Sequence, residues 1–144
     1  MKRFSFGMEK VLSLREYREE EAKLELGRAV GALAEIEDKI RRTAGNRCRA
    51  AQERFSGKNS ALDIAVWDNY IIRLDQEAEK LTEEAARAEA IVEEKRELYL
   101  EASRERKVIE KLKEKREKEY RREVFAEETK ELDDISGVAR ARRL

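Results

Sequence analysis

"SGKNSALD", residues 56–63, is the stretch on which the fold turns. Gly57 can take the left-handed conformation that closes a helix, and Ser60 and Asp63 have the spacing of a reciprocal cap for the helix that follows. The segment reads as a helix stop followed at once by a helix start, the connection of two antiparallel helices.

Outward from this turn, apolar residues recur at alternating spacings of four and three, the pattern of a helix that lays one seam against another. Before the turn the series is Met8, Leu12, Arg15, Glu19, Ala22, Leu26, Ala29, Leu33, Ile36, Ile40. After it come Trp67, Ile71, Leu74, Ala78, Leu81, Ala85, Ala88, Val92, Lys95, Tyr99, Ala102, Arg106, Ile109. Folding about the turn sets Ile40 against Ala78, Leu26 against Val92 and Leu12 against Arg106, with Ile36–Leu81, Arg15–Ala102 and Met8–Ile109 interleaved and no insertion needed. The predicted fold is all-α, an antiparallel two-helix coiled coil forming a single elongated domain. Its first helix spans about 5–55, the turn about 56–60, the second helix about 61–135 and a tail 136–144. Past Ile40 the first stripe is read as Ala44, Cys48, Ala51, Phe55, a four-residue stutter that unwinds the supercoil and allows a bend near Gly45.

Composition agrees with long helices. The 144 residues include 46% charged and 6% aromatic side chains and no proline, so there is little to fill a globular core and nothing to interrupt a backbone ladder. Thirty-three basic residues balance thirty-three acidic ones; nucleic acid is therefore not an expected partner, because phosphate binding draws on a basic excess. No apolar run is long enough to span a bilayer, and the N-terminal residues lack the apolar core of a secretion signal, so direct membrane insertion is not expected and a cytoplasmic location is. With no histidine, no glycine-rich phosphate loop and no cysteine cluster, neither catalytic, cofactor nor metal residues are expected. The single cysteine, Cys48, reads as a buried apolar filler.

The pairing leaves two surpluses. In this register residue 1 faces about residue 117, so residues from Lys118 onward have no partner within the chain, which makes the second helix an overhang with Val124, Phe125, Leu132 and Ile135 as its apolar anchors. The charged stretch leading into it can hold itself helical through Glu110–Lys113, Glu114–Lys118 and Glu117–Arg121 pairs. Near the turn, Val66, Tyr70 and Ile72 exceed what the seam can use and form either a thickened core or a contact patch. Within the seam, Glu19 and Lys95 are close enough to pair.

These residues resemble the FliJ family of the bacterial flagellar export apparatus. "FSFGMEKVLSLREYREEE" is similar to the family's opening pattern, with Phe4, Phe6, Glu9, Val11, Leu12, Leu14, Arg15 and Glu19 in matching places and Met8 where leucine is more usual. In "VWDNYIIRL", Trp67, Asn69 and Tyr70 match the start of the family's second helix; Glu105, Arg106, Leu112, Tyr120 and "KELDD" at 130–134 match its later part. The resemblance implies a stalk-like antiparallel coiled coil whose chain ends enter and activate the hexameric flagellar export ATPase. It also implies binding to the cytoplasmic domain of the export-gate membrane protein and to export chaperones, at the cytoplasmic face of the inner membrane. On that basis Phe4, Phe6, Tyr120, Val124, Phe125, Leu132 and Ile135 are the expected ring contacts, and Phe55, Tyr70 and Ile72 the expected gate contacts. Arg73 and Glu77 depart from apolar residues the family can carry there. Three other readings fit the residues: a spacer whose tail pairs with a second copy, a stalk protein of injectisome-type secretion, and a holdase using the Trp67–Leu74 surface.

Overall fold

A computed structural model describes residues 2–143. Helix α1 spans Glu9–Arg54 and helix α2 spans Ala61–Arg143, and no strand occurs among the described residues. The molecule is an antiparallel α-hairpin of coiled-coil type. It divides into two compact units, one made of residues 21–100 and containing the turn, the other of residues 1–20 with 101–144 and containing both chain ends.

In the turn unit side chains take up several of the backbone groups that the two helix ends leave free. Gly57 has φ +77°, a conformation strained for any residue with a Cβ. Ser56 Oγ donates to the Glu53 carbonyl at 2.8 Å, and the Asn59 amide donates to the carbonyls of Glu53 and Arg54, which satisfies the C-terminal end of α1. The Ser60 N–H donates to Asp63 Oδ2 at 3.1 Å and the Asp63 N–H donates to Ser60 Oγ at 3.2 Å. This is the reciprocal cap that the sequence spacing predicts.

Every nominated seam residue is shielded: Leu12, Leu74, Leu81 and Val92 are buried, and Leu26, Leu33, Ile36, Ile40, Trp67, Ile71, Tyr99 and Ile109 are half-buried. The stutter does not occur. After Ile40 the buried positions of α1 are Thr43 and Ala50, with Asn46, Ala51 and Arg54 half-buried, while Ala44, Cys48 and Phe55 are exposed. Thr43 and Ala50 thus carry on the seven-residue series of Ile36, and α1 runs through Gly45 without interruption. A polar Thr43 and a small Ala50 keep their seam places because the preceding turns of the same rigid helix already set its phase. Cys48 is consequently exposed rather than a filler.

In the end unit, residues 2–8 are not helical, so α1 starts at Glu9 rather than near residue 5. A non-helical backbone can advance more than the roughly 1.5 Å per residue of a helix, and this segment reaches farther along α2 than helical pairing allows. The Tyr120 hydroxyl donates to the Lys2 carbonyl, Phe4 and Tyr120 have ring centroids 5.5 Å apart, and Val124 is half-buried. The overhang therefore begins after Val124, not at Lys118. At its far end α2 continues through Ser136 and Gly137 to Arg143 instead of stopping near Ile135. One helical glycine costs only about 1 kcal/mol, and Arg140, Arg142 and Arg143 in the last turn favour the helix C-terminus.

Candidate functional site

Cα–Cβ bonds lean toward the N-terminus of their own helix, so across an antiparallel pair two side chains converge when each lies C-terminal of the other's opposite residue. Arg15 with Glu105, Arg106 with Glu19, and Lys113 with Glu9 at 2.9 Å form ion pairs of this kind in the end unit. In the turn unit Arg47 pairs with Asp75 at 2.6 Å, and Arg54 with Asp68. Glu19 and Lys95 would lean apart, which is why Glu19 takes Arg106 instead of the expected partner. Arg106 also binds Glu110, and Lys113 is engaged with Glu9, so the Glu110–Lys113 pair predicted from spacing is replaced. The Glu114–Lys118 and Glu117–Arg121 pairs are not closed among the described residues. The Glu19 hydrogen bond raises the pKa of Arg106, and the Glu9 hydrogen bond raises that of Lys113; in both cases partial desolvation opposes the shift.

The residues nominated for partners fall into two groups. Phe6 is 8% exposed, with the Arg116 guanidinium 5.7 Å from its ring centre, and Phe4 and Tyr120 are half-buried against each other. These three fasten the N-terminal segment to α2. Phe125, Leu132 and Ile135 stand in solvent, joined by Val138, which a helix ending near Ile135 had hidden from the sequence reading. No residue of 125–143 is shielded.

Near the turn the three nominated gate residues lie on opposite flanks of the seam. Phe55, 75% exposed, shares a strip with Ala44, Arg47, Cys48 and Ala51, and Arg54 lies 4.6 Å from its ring centre. Ile72 belongs to the same flank, since it lies four residues after Asp68 and three before Asp75, the partners of Arg54 and Arg47. Tyr70 lines a separate cleft with Asn46, Arg49, Ala50, Glu53 and Trp67. Its ring sits 6.1 Å from Trp67 and 5.8 Å from the Arg73 guanidinium. Leu62 and Val66 are further exposed apolar side chains in this unit.

Among the described residues no group of histidine, cysteine, aspartate or glutamate could hold a metal ion, and no helix is long and apolar enough to cross a membrane. What the molecule presents is surface: a bare helical end and two flanks beside a turn.

A protein-family model described as "Flagellar FliJ protein" matches residues 4–144. No curated protein and no solved structure matches the chain. The match takes in both helices, the connecting turn and the non-helical N-terminal segment from Phe4. The chain belongs to the FliJ family and is a component of the flagellar protein export apparatus.

Proposed function

We propose that the chain is a non-enzymatic, stalk-like adaptor: the helical end 125–143 enters the hexameric export ATPase and raises its hydrolysis. The flanks beside the turn engage the cytoplasmic domain of the export gate and the export chaperones, at the cytoplasmic face of the inner membrane. The observation that carries this reading is the helix from Phe125 to Arg143, which has no shielded residue and carries nine charged side chains among its nineteen residues. Such a segment gains order chiefly from a partner, and a polar multi-subunit sleeve suits it better than an apolar groove. Phe4, Phe6 and Tyr120 enter this proposal as the clasp that holds the base of the overhang. Phe125, Leu132, Ile135 and Val138 enter it as the contact residues.

ATP hydrolysis by the export ATPase tests the proposal directly. The full chain should raise the rate several-fold, and a chain ending at Val124 should leave it at the basal level while keeping its helical circular dichroism. Equal stimulation by the shortened chain refutes the placement, and no stimulation by either refutes the adaptor role. For the gate, Phe55→Ala with Ile72→Ala should weaken binding of the gate's cytoplasmic domain without altering hydrolysis, and Tyr70→Ala tests the opposite flank.

A further inference from the structure

In the end unit the shielded face of α2 passes through Ser103, Arg106, Lys113 and Tyr120 to Val124. Of the apolar residues that follow, Phe125, Leu132, Ile135 and Ala139 keep the same seven-residue period displaced by one residue, while Val138 stays in the phase of Val124. One residue is about 100° around a helix. The overhang therefore does not prolong the seam it leaves but starts another on a different face, and that seam has two charged places, Glu128 and Arg142.

We propose that this second seam pairs antiparallel with the same segment of a second copy of the chain. Charge decides the direction. Parallel pairing would set Glu128 against Glu128 and Arg142 against Arg142 inside the interface, a like-charge arrangement that disfavours association. Antiparallel pairing about a two-fold axis between Leu132 and Ile135 sets each Leu132 opposite the partner's Ile135 and each Glu128 opposite the partner's Ala139. The partner's Arg142 then lies three residues C-terminal of Glu128's opposite residue. This is the relation in which Arg15, opposite Ala102, meets Glu105 within the hairpin, where both side chains lean toward each other. The symmetry makes the Glu128–Arg142 pair twice, at the two ends of an apolar centre built from both copies of Leu132 and Ile135. Because the paired segment is short and carries few apolar side chains, the dimer is weak and reversible. The inference stands apart from the ATPase reading, since it concerns the isolated chain, but the same residues serve both, so self-pairing would cover the end that the adaptor proposal assigns to the ring.

Sedimentation velocity on the full chain is the test, run from low micromolar to near-millimolar concentration. The wild type should move from 16.9 kDa toward twice that mass. Glu128→Arg alone and Arg142→Glu alone each place like charges at both ends of the interface and should weaken association by roughly tenfold or more. An equimolar mixture of the two variants restores both opposite-charge pairs and should recover wild-type association. All residues involved are exposed, so circular dichroism should report unchanged helicity throughout. A wild type that stays at 16.9 kDa, single variants that associate as well as the wild type, or a mixture no better than its components would each overturn the proposal.

Discussion

Phe6 separates the roles that the sequence merges, because the family resemblance assigns it to a partner and yet it lies 8% exposed against α2. A fully enclosed phenylalanine costs about 3–5 kcal/mol when cut to alanine. Phe6 sits at the margin of a two-helix structure in a segment with few other anchors, the Phe4–Tyr120 contact and the hydrogen bond to the Lys2 carbonyl among them. The lower figure of about 2–3 kcal/mol is appropriate, and it falls on local opening rather than on the whole hairpin, because residues 2–8 can detach while the helices remain. At about 1.4 kcal/mol per factor of ten, Phe6→Ala should raise the open fraction of the segment roughly 30- to 140-fold. Limited trypsin digestion with mass spectrometry reads this directly, since cleavage after Arg3 needs the flanking chain undocked and its rate follows the open population when reclosing is fast. The helical circular dichroism should barely change. Cleavage after Arg3 at the wild-type rate would refute the reasoning, because it would mean that the buried ring does not hold the segment.

Further substitutions test the seam and its charges. Leu81→Ala should cost about 2–3 kcal/mol in urea unfolding, the low end of the core range, since no large side chain among the described residues is fully enclosed; Ile91→Ala, on an exposed face of the same helix, should stay within about 0.5 kcal/mol. Ala50→Glu should destabilise clearly and Ala44→Glu hardly at all, whereas the stutter would reverse that order. The raised pKa of Lys113 means that its pairing with Glu9 contributes stability fully below the ordinary lysine value of about 10.5 and loses it as pH rises through the higher folded value. Thermal melts at increasing pH above 10 should therefore show a loss that Lys113→Arg suppresses.

Much of this was legible along the chain. The stop at Gly57 and the cap of Ser60 with Asp63 depend on neighbouring residues only, and the seam depends on a period that repeats many times. Near the turn the sequence points to the wrong phase, because Ala44, Cys48, Ala51 and Phe55 are together more apolar than Thr43, Asn46, Ala50 and Arg54. Local hydrophobicity favoured the first set, and the continuity of a stiff helix selected the second. The gate nominees Phe55, Ile72 and Tyr70 were identified as surplus apolar residues, but their division between two flanks is a three-dimensional fact.

What the sequence by itself determined is the pairing of two helices about residues 56–60, because caps and seven-residue periodicity are local or repetitive signals that need no third partner. Only the tertiary structure decided where each charge goes and which aromatic side chains remain free. Ion pairs follow the direction in which side chains lean across an antiparallel interface, so Glu19 meets Arg106. A non-helical N-terminal segment reaches farther along α2 than a helix of equal residue count, so Phe6 is enclosed while Phe125 is left to solvent.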